Sequence, residues 1–201
     1  MIAPAGGKTR ASASFAALAA LAALGPSAFA GDKEPREYLD ENTAATVTVV
    51  GEPLVFAYSE PSLAANERDY ITLAAAAVDR NGKVSYVLIA YFWSTVDPRL
   101  RHDPLPSPDA LVVQADDRRI ELRLAGHDAH EAGIGEHVHA PPGSDATPNV
   151  YRTDLNTIRF IGQARELSIV VDSDPSPIPY ELWEDRRVAL RNFVQHMSGA
   201  Q

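Results

Sequence analysis

The residues best suited to chemistry lie in one histidine-rich segment, residues 127–139. Within these thirteen positions the chain carries four histidines and three carboxylates. Imidazole nitrogens suit both Zn²⁺ and Cu²⁺, and two or three histidines with a carboxylate complete a metal site. We therefore take as candidate metal ligands His127, His130, Glu131, His137 and His139.

The spacing of these candidates predicts two groups of ligands. The first three would share one face of a helical turn, whereas the last two would lie on one side of an extended segment. The pattern is not the zincin His-Glu-x-x-His motif, because Ile134 stands where the second histidine would be. Glycines and prolines around the segment predict a mobile loop. A histidine-containing surface loop without a specific metal is the alternative interpretation.

A second candidate lies at His102, which is followed by Asp103 and so resembles half of a catalytic dyad. A hydrolase would also need a nucleophile, and no serine occupies a Gly-x-Ser-x-Gly turn. Because catalytic triads are defined by geometry, residues dispersed along the chain could still form one. A hydrolase that uses His102 or His127 therefore stays open as the enzymatic alternative, with no catalytic residue identified.

The first thirty residues have the pattern of a secretory signal peptide. Lys8 and Arg10 precede a run rich in Ala, Leu and Phe, and residues 28–30 (Ala-Phe-Ala) offer small side chains for cleavage. The run is shorter than the ~20 apolar residues of a membrane-spanning helix. We therefore expect residues 1–30 to be cleaved and the mature chain, which begins at Gly31, to be periplasmic or secreted.

The mature chain is acidic and lacks cysteine. The predicted signal peptide contains two of the 18 Lys and Arg residues and none of the 27 Asp and Glu residues, which leaves a formal charge of −11. Such a charge repels phosphate backbones, so nucleic acid is not an expected partner. The absence of cysteine excludes disulfides, thiolate metal sites and an acylated cysteine. The longest later apolar stretch, residues 84–93, is too short for a membrane span and suits a buried strand.

Alternating and apolar stretches separated by turn residues predict a mainly β domain. Residues 31–42 are expected to form a polar, flexible lead-in, and residues 43–201 a single β-rich domain. Asn81-Gly82 between two apolar runs is the strongest hairpin pattern, because both central residues of that turn need positive φ. Strands are predicted at residues 46–49, 54–58, 69–79, 84–93, 111–113, 120–124, 150–153 and 167–171.

Helices are predicted only in the last third of the chain. Asp154 would cap a short helix that ends at Gly162. Its inward-facing residues would be Leu155, Ile158 and Ile161. A second, amphipathic helix is predicted from about residue 181 to residue 197. Its apolar stripe would comprise Trp183, Leu190, Val194 and Met197, with Phe193 alongside. The expected fold is an antiparallel β-sandwich or small barrel with a short helix and a C-terminal amphipathic α-helix.

These observations predict function only in outline. An export signal, an acidic domain without an anchor and the lack of a recognisable catalytic motif favour a non-enzymatic binding or accessory module of the bacterial envelope. Its partner would be another envelope protein or a small ligand, bound without a cofactor. The first alternative is an exported metal-binding protein that holds Zn²⁺ or Cu²⁺ in the histidine-rich segment, and the second is the hydrolase considered above.

Cleavage after Ala30 is directly testable. Expression of the full chain in a bacterium should yield an exported protein whose intact mass corresponds to residues 31–201, because signal peptidase requires small residues near the cut. Ala28→Lys should block this cleavage and leave the longer chain, whereas Ala19→Leu, inside the apolar run, should leave it unaffected. An unprocessed wild-type chain would contradict the prediction.

Overall fold

The computed structural model describes residues 33–59, 67–97, 99, 104–136, 138–141, 146, 148–172 and 176–199. The predicted signal peptide, His102 and Asp103 therefore lie outside the described residues. Within these ranges the chain forms ten β-strands, two α-helices and one 3₁₀ helix. No helix among them has the length and apolar character that crossing a membrane requires.

Strands make up most of the described chain, and both α-helices follow in its last third. The strands are β1 Arg36–Asp40, β2 Ala45–Val49, β3 Leu54–Tyr58, β4 Asp69–Arg80, β5 Lys83–Ser94, β6 Ala110–Ala115, β7 Arg118–Gly126, β8 Pro148–Thr153, β9 Leu167–Val171 and β10 Ile178–Glu184. The helices are the 3₁₀ helix Ala129–Ala132, α1 Leu155–Gln163 and α2 Arg187–Gly199.

Eight of the strands, β3 to β10, close into an antiparallel barrel. Around the barrel their order is β4-β3-β10-β9-β6-β7-β8-β5, and β5 pairs with β4 along its whole length to complete the circle. Neighbouring strands are antiparallel throughout. The prediction of a mainly β fold with two helices is confirmed, and of the two predicted architectures the barrel is the one observed.

The long hairpin of β4 and β5 extends beyond the barrel. One edge of β4 pairs first with β3, up to Leu73, and then with β2, from Ala76 to Asp79. Strand β1 pairs in turn with β2. We term β1, β2 and residues 76–85 of the hairpin the sheet extension. Within the polar lead-in predicted at residues 31–42, residues 36–40 form strand β1 through backbone pairing with β2.

Four alanines, residues 74–77, occupy the middle of β4 and are buried on both faces of the sheet. Alanine is the best helix former, so these residues alone do not specify a strand. The turn that follows them specifies the strand conformation. Asn81 and Gly82 have φ values of 56° and 78°, as a tight hairpin turn requires, and Asp79 Oδ1 accepts the Gly82 N–H at 2.8 Å. The predicted hairpin is confirmed.

The sheet extension is covered on both faces. Because side chains alternate along a strand, Glu37 and Asp40 of β1 point to opposite faces. On the first face, Glu37 accepts a hydrogen bond from Thr48 and lies 3.8 Å from Nε2 of His196 in α2. On the second face, the buried Asp40 carboxylate accepts the backbone N–H of Gly135. Helix α2 therefore contacts one face at strand β1, and the segment around Gly135 contacts the other.

Helix α1 begins as predicted. Asp154 caps it by accepting the backbone N–H of Thr157 at 3.0 Å, and the inward-facing Ile158 and Ile161 are fully buried. The helix continues one residue past Gly162, however, so this glycine lies inside the helix and does not end it.

The C-terminal helix is shorter than predicted. Residues 178–184 form strand β10, which pairs with β3 and β9 and so closes the barrel. Trp183 therefore lies on a strand, 53% exposed, and not on the helical stripe. The helix begins at Arg187, because tertiary strand pairing overrides the helical pattern before it. The other predicted stripe residues are buried, namely Leu190, Phe193, Val194 and Met197.

Gly162→Ala should stabilise the protein. A Cβ at this position would lie 3.5–3.6 Å from the side chains of Leu190 and Arg191, which is ordinary van der Waals contact. Alanine in a helix interior is favoured over glycine by about 1 kcal/mol, so we expect a higher urea midpoint of unfolding. Gly82→Ala is the control and should lower the midpoint, because φ at Gly82 is +78°. A lower midpoint for Gly162→Ala would show that the contact between α1 and α2 has no room for a methyl group.

Candidate functional site

The histidine-rich segment lies against the sheet extension, to which its backbone and side chains make hydrogen bonds. We term residues 127–141 the cover segment, of which His137 is not described. The segment contains the 3₁₀ helix and buries the side chains of Ala129, Ile134 and Val138. These apolar residues are too widely spaced among polar ones to form a recognisable pattern in the sequence.

Asp40 attaches the cover segment to the sheet extension. Asp40 is only 2% exposed, and its carboxylate accepts three backbone N–H groups. The donors are Gly135, Asn42 at 2.9 Å and Thr43 at 3.3 Å. The hydrogen bond from Gly135 is the main reason that the pKa of Asp40 lies below its ordinary value. Thr43 adds a second attachment, because its hydroxyl donates to the carbonyl of Gly133 at 2.9 Å.

The described histidines of the cover segment have separate surroundings. His127 is exposed, with its Nδ1 2.7 Å from Oδ1 of Asn149, and His130 is also exposed. His139 donates from Nε2 to the carbonyl of Val50 at 2.5 Å, and burial lowers its pKa. Among the described residues, no group of three or more His, Asp or Glu side chains is placed to hold a metal ion.

The metal-site hypothesis stays a prediction, because one of its five ligands, His137, is outside the described residues. Calorimetric titration with Zn²⁺ or Cu²⁺ tests it on the wild type and on a His137→Ala/His139→Ala variant. Binding of one ion per chain that the double substitution removes would support the hypothesis. Binding that the double substitution leaves unchanged would contradict the hypothesis.

A cavity of about 530 Å³ lies in the corner where β8 ends beside β5. Strand β8 pairs with β5 only as far as Tyr86 and Thr153. Among the described residues, the edge of β5 at residues 83–85 therefore has no partner strand on this side. The end of β7 and the start of the cover segment also line the cavity. Its apolar lining comprises Val84, Val87, Ala125, Ala132 and Val150.

Three charged side chains at the cavity have no partner in the described part of the chain. Arg80, Glu131 and Arg152 make no side-chain hydrogen bond or ion pair with another described residue. Two further carboxylates have structural roles, since Asp128 caps the 3₁₀ helix and Asp154 caps α1. The cavity therefore presents two guanidinium groups and one carboxylate beside an apolar lining. We term these three groups, which have no partner among the described residues, the free charges.

Two glycines make room for these charged groups. At Gly126 a Cβ would overlap the carboxylate of Glu131, and at Gly133 a Cβ would overlap the guanidinium of Arg80. Any larger residue at either position would displace a charged group from its present place. The hydroxyl of Thr153, also at the cavity, is buried and has no hydrogen-bond partner among the described residues.

Of the charged cavity residues, only Glu131 is among the candidates predicted from the sequence. Arg80 and Arg152 belong to distant strands, and the register of β4, β5 and β8 brings them to one cavity. The sequence sets Arg152 apart only by its place two residues after Val150 in a predicted strand, which puts both side chains on one face; Val150 is fully buried in the structure.

No protein-family model, no curated protein and no solved structure matches this chain.

Asp40→Ala should lower the free energy of unfolding by about 2 kcal/mol, because it removes a buried, charged acceptor of hydrogen bonds. The pKa of Asp40 is lowered in the folded protein, so its contribution is complete above the ordinary value of 3.8 and is lost as pH falls through the lower folded value. In urea unfolding, the difference in stability between wild type and variant should therefore be larger at about pH 6 than at a pH below 3.8.

The matched control for this substitution is Asp117→Ala, at an exposed aspartate of the turn between β6 and β7. This variant should match the wild type at both pH values. A stability difference between wild type and Asp40→Ala that persists undiminished at low pH would contradict the assigned role of the carboxylate.

Proposed function

We propose that this chain is an exported, non-enzymatic binding protein that holds a small polar ligand in the cavity at the end of β8. The observation that carries the proposal is the set of free charges, because Arg80, Arg152 and Glu131 adjoin an apolar lining without a described partner. Such groups gain most from a ligand that pairs with them, since charge-assisted hydrogen bonds are stronger than neutral ones.

The dimensions of the cavity support this proposal. Its volume of about 530 Å³ falls within the ~300–1,000 Å³ of small-molecule sites, which combine an apolar lining with a few polar groups. Its walls are the ends of paired strands and of a capped 3₁₀ helix. A ligand would therefore need little further ordering of the protein, and this lowers the entropic cost of binding.

The polar lining residues favour binding over the hydrolase alternative. The hydroxyl of Ser85, which could act as a nucleophile, donates a hydrogen bond to the carbonyl of Val78 at 3.4 Å. Asp128 and Asp154 accept backbone N–H groups at helix starts. Nucleophilic catalysis would instead need a hydroxyl and a base within hydrogen-bonding distance of each other.

The predicted signal peptide supports a periplasmic or secreted location, in which the ligand is met outside the cytoplasm. The acidic mature chain supports a ligand other than nucleic acid. The alternative to a small ligand, for a protein in the same location, is that the partner is another envelope protein.

A thermal-shift screen of small polar metabolites against the exported mature protein tests the proposal. At least one compound should raise the Tm of the wild type. Val84→Trp, which fills the cavity from a 40% exposed strand position, should abolish the shift. Val188→Trp is the control, at a 45% exposed position of α2 that does not line the cavity, and should retain the shift. A screen without a hit, or a shift that Val84→Trp leaves unchanged, would contradict the proposal.

A further inference from the structure

The free charges at the cavity are of both signs and come from different elements. Arg80 and Arg152 belong to β4 and β8, whereas Glu131 belongs to the 3₁₀ helix. Guanidinium groups pair with carboxylates in a bidentate geometry, and a carboxylate pairs with an ammonium group. A ligand that pairs with all three side chains must therefore carry both an anionic and a cationic group.

The cavity also borders an edge of β5 that pairs with no other described strand. Strand β5 extends beyond its pairing with β8, and Val84 and Ser85 of this part line the cavity. A strand directs backbone N–H and C=O groups toward each of its edges, and extended peptides bind free edges by adding a short strand. The buried hydroxyl of Thr153, without a hydrogen-bond partner among the described residues, adds a further polar group beside this edge.

The rest of the lining suits the body of such a ligand. Small apolar residues, among them Val87, Ala125 and Val150, would contact aliphatic side chains. A volume of about 530 Å³ limits the ligand to a few residues.

We infer that the ligand is a short peptide with free termini, bound beside the edge of β5. Its carboxylate pairs with Arg80 and Arg152, and its ammonium group pairs with Glu131. This inference rests on the proposed function and adds the chemical class of the ligand.

Isothermal titration of the exported mature protein with the dipeptides Ala-Ala, Val-Val and Leu-Leu tests the inference. At least one of them should bind. Its N-acetylated and C-amidated forms should each bind about tenfold more weakly, because each lacks one charge-assisted contact.

Two substitutions test which cavity side chain binds each terminus of the dipeptide. Arg152→Ala should discriminate less strongly than the wild type between the free and the amidated dipeptide, because only Arg80 then pairs with the carboxylate. Glu131→Gln should bind the free and the acetylated dipeptide equally. Arg119→Ala, at an exposed arginine of β7 outside the cavity, is the control. It should prefer the free dipeptide over the amidated and acetylated forms as strongly as the wild type does. The substituted residues are all exposed, so the Tm without ligand should stay unchanged.

The outcomes separate the two proposals. If no dipeptide binds while another compound of the thermal-shift screen does, the peptide inference is wrong and the proposed function stands. If neither a dipeptide nor any other compound binds, both are wrong. Dipeptide binding that neither Arg152→Ala nor Glu131→Gln changes would overturn the assignment of the termini.

Discussion

The twelve-residue pairing of β4 with β5 is the contact on which the rest of the structure depends. Its first half belongs to the barrel, and its second half supports the sheet extension. Helix α2 and the cover segment contact opposite faces of that extension. The alanines of residues 74–77 are buried on both faces of the sheet. The cavity lies near the end of the same hairpin and shares its residues.

The parts of the fold that depend on local sequence could be predicted, and those that depend on distant pairing could not. Asn81-Gly82 specifies the hairpin turn by backbone conformation alone, and Asp154 specifies the start of α1 by its side-chain oxygen. Strand β1 is polar because it lies at the edge of the sheet, so it resembles a solvated lead-in. Strand β10 immediately precedes a helix and becomes a strand only because β3 and β9 are available on either side.

The candidate site is less predictable for a related reason. Histidines are conspicuous by residue type, but the place of the cover segment depends on Asp40 and Gly135, which a distant hydrogen bond joins. The free charges at the cavity are distinguished by their lack of partners in the described part of the chain, which is a property of the fold and not of the sequence. Only Glu131 is both a candidate metal ligand predicted from the sequence and one of the free charges, because it lies where the cover segment borders the cavity.

The strand pairing that closes the barrel also determines when the barrel can close. Ala57 of β3 pairs with Glu181 of β10, near opposite ends of the described chain. Contacts of such sequence separation form slowly, because the intervening chain loses entropy before the contact is made. Strand β10 is also the last of the ten described strands in chain order, so the barrel cannot close before residues 178–184 have been synthesised. For a chain with a predicted signal peptide, this delay favours translocation in an unfolded state, with folding completed after export.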